Sequence, residues 1–116
     1  MSLLTELEAL GVNTEEALRR FMNNSSLYTR MLGKYPAAAE DAAAAEKFAA
    51  KDYEAALTAT HTLKGVSGNL SLTPLFKDYS DIVALLREGK NDEAEKLYEK
   101  TAAAEKQIIE CIKANS

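Results

Sequence analysis

Five apolar residues, Ala56, Ala59, Leu63, Val66 and Leu70, recur at alternating intervals of three and four. An α-helix turns about 100° per residue, so this spacing lines them along one side of a helix, and that side needs an apolar partner. The same rhythm appears three more times. Tyr28, Leu32, Tyr35, Ala39 and Ala42 form one stripe, Leu75, Tyr79, Ile82 and Leu86 another, and Ala94, Leu97, Thr101, Ala104, Ile108 and Cys111 a third. No segment alternates apolar and polar residues as a half-buried strand does. Stripes of this kind are satisfied by burying each against the others.

Start and stop signals divide the chain accordingly. Leu3 to Leu10 reads as a short helix ended by Gly11. Asn13 reads as the N-cap of a second, with Glu15 and Glu16 in its first turn, running to about Phe21 or Met22. Asn23-Asn24-Ser25-Ser26 breaks the pattern. A long helix is expected from Leu27 to about Ala50, kinked at Pro36 because its stripe continues past the proline. Asp52 caps the next helix. Thr73-Pro74 reads as an N-cap followed by proline at the first helical position, and Gly89 ends that helix. Asn91 reads as the cap of the last one, with Asp92, Glu93 and Glu95 in its first turn. Short connections place consecutive helices antiparallel. The expected fold is an all-α, antiparallel up-down four-helix bundle with one or two short N-terminal helices, forming a single domain over residues 1–116.

Composition narrows the function. Apolar residues make up 47% of the 116, enough for a core, although many are alanine and the helices must therefore pack closely. The net charge of -4 argues against a nucleic-acid partner. No run approaches the roughly 18 apolar residues of a membrane span, and the N-terminus does not resemble a signal peptide, so the expected setting is the cytoplasm without direct membrane contact. The single cysteine, Cys111, fits a reducing compartment and, on an apolar helix face, reads as a buried inert thiol. Met1-Ser2-Leu3 is compatible with a native start or a cloning remnant, and the chain with a whole small protein or a domain of a longer one.

One residue stands out from this background. His61 is the single histidine, and it lies about 155° around its helix from the mean direction of the apolar stripe, facing water. Gly65 and Gly68 fall within about 40° of it and Lys64 about 60° round. Each glycine costs a helix about 1 kcal/mol relative to alanine. Gly68 can be read as a helix C-cap, but Leu70 and Leu72 continue the apolar pattern beyond it. The alternative is that both glycines omit side chains so that a partner can approach the imidazole. Lys64 is either a solvated side chain or, one turn from His61, a cation placed to attract a phosphoryl group. With no second histidine and no cysteine pair, no metal site is expected, and no catalytic triad can be assembled.

The run His61-Thr62-Leu63-Lys64-Gly65, followed by Gly68-Asn69-Leu70, resembles the active-site helix of histidine-containing phosphotransfer (HPt) domains. Val12 to Phe21 is similar to that family's N-terminal helix, and Asp52-Tyr53-Glu54-Ala55-Ala56 to the turn entering its active-site helix; the likeness spans about residues 10–114. Ser71 departs from it, standing where a glycine is common, and the segment from Pro36 to Ala45 is unusually alanine-rich. The resemblance implies that His61 accepts a phosphoryl group from a receiver-domain aspartate and passes it to another. Lys64 would support the phosphate charge, and Gly65 and Gly68 would admit the receiver. Leu57, Thr58, Thr60, Thr62 and Asn69 would form a docking rim, joined by unassigned residues of the 27–50 helix. It implies a monomeric phosphocarrier with no cofactor or ATP site of its own, magnesium being brought by the receiver. It would stand alone or belong to a hybrid sensor histidine kinase. Two other readings compete. One is a helical adaptor that binds receivers without carrying phosphate. The other is the dimerisation and phosphoacceptor module of a sensor kinase, which usually places an acidic residue where Thr62 stands and builds its bundle from two chains.

Overall fold

The structure is a computed structural model that describes residues 2–115; Met1, whose origin the sequence leaves open, and Ser116 lie outside the described residues. Among the described residues the chain forms eight helices and no strand: α1 (Leu3–Ala9), α2 (Thr14–Arg20), α3 (Ser25–Leu32), α4 (Tyr35–Ala42), α5 (Ala44–Ala49), α6 (Tyr53–Asn69), α7 (Thr73–Arg87) and α8 (Asn91–Ala114). The bundle expected from the stripes is present. α6 packs along α7, α7 along α8, and the α4–α5 segment on α6. The bundle closes where Phe48 of α5 stacks on Tyr98 of α8, with ring centroids 4.7 Å apart. α8 spans 24 residues, about 36 Å of helix, and sets the long dimension of a 40 × 23 × 21 Å molecule. α1 lies against α8, and α2 links α1 to α3. No described helix is long and apolar enough to cross a membrane.

The apolar stripes turn inward as the spacing requires. Ala56, Ala59 and Leu63 of α6 and Leu70 at its C-cap, with Leu75, Tyr79, Ile82 and Leu86 of α7, are all buried. On α8 the buried side drifts by one position along the C-terminal half. Glu105 and Ile112 are buried, whereas Ala104 and Cys111, expected inside, are half-buried. The Cys111 thiol faces the Glu6 carboxylate at 3.6 Å; burial first, and then that carboxylate, push its pKa up, which keeps it protonated and a poor nucleophile.

The long helix expected over 27–50 is instead three helices. Pro36 begins α4 rather than kinking a continuous helix: it sits in the first turn, where its missing N–H leaves no bond unmade. The second break is at Ala43, whose φ of +50° is left-handed and ends α4 by directing its N–H to the Ala39 carbonyl. The apolar stripe survives both breaks: Tyr28, Leu32 and Tyr35 are fully buried, and Ala39 and Ala42 pack at the edge of the core. Two caps also shift. Leu72, fully buried, occupies the N-cap of α7 in place of Thr73, and Lys90 that of α8 in place of Asn91; neither cap makes a side-chain bond. Asn13, Asn24 and Asp52 cap through their side chains as their residue types predict, accepting from Glu16 N, Leu27 N and Ala55 N at 3.0, 2.9 and 3.1 Å.

A buried polar layer crosses the bundle. The Tyr79 hydroxyl donates to Glu105, and the Tyr35 hydroxyl lies within electrostatic reach of that carboxylate without hydrogen-bonding geometry to any group. Burial raises the Glu105 carboxyl above its ordinary range, and the tyrosine hydroxyls beside it only partly offset this. Burial likewise carries Tyr98 up to about 12, with the Glu105 charge adding to it.

Candidate functional site

α6 carries the site, and its composition explains its rigidity. It is closely packed against α4, α5 and α7, and small residues make that approach feasible. Two of them are polar. The buried hydroxyls of Thr60 and Ser67 donate back to the carbonyls of Ala56 (2.8 Å) and Leu63 (2.7 Å), so neither is left unsatisfied in the core. The expectation that Thr60 belongs to an exposed docking rim therefore fails. Thr60 is completely buried and points into the bundle, because it follows Ala56 by one turn and Ala56 is itself on the packed side.

The end of α6 is tied down from several directions. Helix C-termini leave carbonyls without helical partners. Here Leu72 N bonds to Ser67 O at 2.9 Å and Ser71 N to Gly68 O at 3.1 Å, the pattern of a Schellman turn. The buried Tyr28 hydroxyl of α3 donates to Leu70 O at 2.8 Å, and burial takes that phenol up to about 12. Arg20 of α2 donates through Nη1 to Gly68 O at 2.9 Å. The turn needs a left-handed residue, and Ser71 supplies it with a φ of +54°. That conformation accounts for glycine being the expected residue there.

His61 is exposed, and among the described residues neither ring nitrogen makes a hydrogen bond. It stands between two depressions. One, of about 420 Å³, is bounded by Lys64, Gly65, Gly68 and Asn69 of α6, by Glu16 and Arg20 of α2, and by Ser71, Thr73 and Phe76 at the start of α7. The other, of about 310 Å³, is bounded by Leu57, Thr58, Thr62 and Arg87. Four of the five residues expected to form a docking rim thus adjoin the histidine, with Thr60 the exception. The 27–50 segment lines neither depression. Ala38, Asp41, Ala42 and Lys47 face a separate groove with Thr58 and Thr62.

The two glycines have different reasons to be glycine. A Cβ on Gly65 would meet nothing within 4 Å, so no internal packing demands its absence. A Cβ on Gly68 would come within 2.8 Å of Phe76 Cδ1 and 3.0 Å of Cε1. The space at Gly68 is already filled by a side chain of this protein. At Gly68 the missing side chain makes room for Phe76 of α7, so internal packing by itself accounts for a glycine there.

The electrostatics are the most distinctive aspect of the region. Arg20, Lys64 and Arg87 flank His61 across the two depressions, with Glu16 as the one carboxylate. Among the described residues none of these three cations is in an ion pair. On a chain of net charge -4 this is a local excess of positive charge around a single imidazole. Phe76, among the described residues one of two large apolar side chains left exposed (the other is Met22), adds an apolar edge. The linear pattern did not disclose Arg20, Glu16 or Phe76. Arg87 was within reach, since an antiparallel α7 must return its last turn to the level of the start of α6. Among the described residues no group of three or more His, Cys, Asp or Glu side chains gathers to hold a metal ion.

No protein-family model matches the chain, and no curated protein or solved structure matches it.

Proposed function

We propose that the protein is a phosphotransfer domain in which His61 receives a phosphoryl group from an aspartyl phosphate on a receiver domain and delivers it to a second receiver aspartate. The observation that carries this reading is the solitary exposed imidazole at the centre of three unpaired cations, on a helix held rigid by buried packing on its other side. A rigid, exposed nucleophile and fixed positive charge suit phosphoryl transfer, which depends on positioning and charge neutralisation rather than on an elaborate set of catalytic groups.

In the accepting step the lone pair of the outward ring nitrogen attacks phosphorus. The bond from phosphorus to the aspartyl oxygen breaks, and the carboxylate leaves with the electron pair. In the delivering step a carboxylate oxygen attacks phosphorus, and the N–P electron pair returns to the imidazole. Lys64 and its neighbouring cations hold the phosphoryl oxygens in both directions, while open space at Gly65 lets an acidic pocket reach the ring. Magnesium, in this reading, belongs to the receiver.

The test is transfer from a receiver domain phosphorylated with labelled acetyl phosphate. Acid-labile label should appear on the wild-type chain and be absent from His61→Gln, with the fold of that variant intact because the side chain is exposed. A chain that binds receivers equally well in both forms and takes up no phosphate is an adaptor, and the proposal is then wrong. Sedimentation as a monomer is expected; a dimer that builds one bundle from two chains favours the kinase dimerisation module instead.

A further inference from the structure

The depression on the α2 side of His61 contains a cation that neither the stripe nor the motif singled out. Arg20 is exposed at the end of α2, and its Nη1 donates to Gly68 O at 2.9 Å. That bond fixes the guanidinium to the same helix that carries His61, on the same face. A guanidinium has five N–H donors. Among the described residues the bond to Gly68 is the one side-chain hydrogen bond that Arg20 makes, so most of its guanidinium donors remain uncommitted. Lys64 borders the same space, and in about 420 Å³ there is ample room for a phosphoryl group and its waters. Glu16, one turn before Arg20, supplies the opposing charge and leaves the depression with a surplus of one positive charge.

We infer that Arg20 is a second phosphate-holding residue. With Lys64 it forms a two-cation subsite that receives the phosphoryl oxygens of phosphorylated His61, which makes α2 part of the site rather than a cover for the bundle end. This rests on the reading of His61 as the phosphoacceptor. The two cations divide the work by their chemistry. The planar guanidinium engages two oxygens at once, whereas the ammonium of Lys64 acts as a compact point charge on a flexible stem. Because they come from different helices, the subsite depends on the Arg20–Gly68 bond that ties the end of α2 to α6.

A small donor separates this inference from the one it rests on. With phosphoramidate no receiver is needed: the imidazole nitrogen attacks phosphorus, the P–N bond of the donor breaks, and ammonia leaves with the electron pair. Phosphorus NMR follows formation and hydrolysis of the phosphohistidine, and thermal unfolding is measured on the same samples. Wild type should be labelled at His61. Arg20→Gln should be labelled about fivefold more slowly and lose its phosphate correspondingly faster, as expected on removing a charge-assisted contact at an exposed site. Arg20→Lys should recover part of the rate, and the gap should shrink as salt screens the exposed charges. Glu16→Gln should be labelled faster than wild type. If Arg20 only caps the end of α6, Arg20→Gln will melt earlier but keep the wild-type rate and salt dependence, and the inference is overturned while the proposed function stands. An unlabelled wild type overturns the proposed function itself. Should Arg20→Gln fail to fold, Glu16→Gln decides: no acceleration on removing the opposing charge refutes the subsite.

Discussion

Gly65 and Gly68 lie one turn apart on the same exposed side of α6, yet replacing each with alanine is expected to move stability in opposite directions. At Gly65 the new methyl would meet nothing within 4 Å, and the position lies inside a 17-residue helix without positive φ. The helix-propensity gain of about 1 kcal/mol is then realised in full. For a domain of this size that is about 4 °C in melting temperature. At Gly68 the same gain is opposed by a Cβ placed 2.8 Å from Phe76 Cδ1. Overpacking typically costs about 1–3 kcal/mol, and the Phe76 ring must shift to relieve the clash. The net is a loss of about 0–2 kcal/mol. The two variants should therefore differ by about 1–3 kcal/mol, well above the error of paired urea or thermal unfolding curves followed by far-UV circular dichroism. On the proposed function, receiver-dependent phosphorylation should move the other way for Gly65→Ala: a more stable protein that transfers more slowly, because the methyl would project beside the imidazole into a docking receiver's path. Equal stability changes at the two positions, or a Gly65→Ala variant less stable than wild type, would refute the packing argument. Unchanged transfer in a stabilised Gly65→Ala would remove the reason given for a glycine there.

Two further substitutions probe the frame around the site. Ser71→Gly should stabilise the protein by about 1–2 kcal/mol, since it relieves a left-handed φ of +54° and removes a buried hydroxyl with no hydrogen-bond partner; an unfolding midpoint no higher than wild type counts against this. Glu105→Gln should alter the pH dependence of stability. Burial holds the folded Glu105 carboxyl above its ordinary value of 4.5, so stability present below that value is lost as pH rises through the folded one. The glutamine has no such loss and can still accept from Tyr79. The variant should thus gain on wild type as pH rises above about 4.5, and a stability difference that stays constant as pH rises from there would show that Glu105 does not titrate as a buried group.

The sequence was most informative where a rule is local. Asn13, Asn24 and Asp52 cap helices because their side chains reach the N–H groups of the first turn whatever lies beyond. Several helix ends fell where the pattern breaks without a glycine to mark them. The turns after α1, α2, α5, α6 and α7 all use left-handed residues; Gly11, Asn23 and Gly89 are of types that favour the conformation, whereas Met22, Lys51 and Ser71 carry no such mark. The break at Ala43 is of the same kind, an alanine in an alanine-rich run with nothing local to mark it. Glu105 escaped notice because a charged residue is counted among the exposed, and only the hydroxyl of Tyr79, from the neighbouring helix, makes its burial tolerable.

The sequence alone determined that this chain is helical, that its long helices bury one side each, and that the side of α6 opposite its stripe presents His61 to solvent. Those conclusions need only the helical repeat and the apolar pattern, both properties of neighbouring residues. The tertiary structure decided what surrounds the imidazole. It brought Arg20 and Glu16 from α2 and Arg87 from the end of α7 to the same face, and it filled the space at Gly68 with Phe76. Charge at a surface site depends on distances in space, and residues far apart in the chain acquire those distances only when the helices pack.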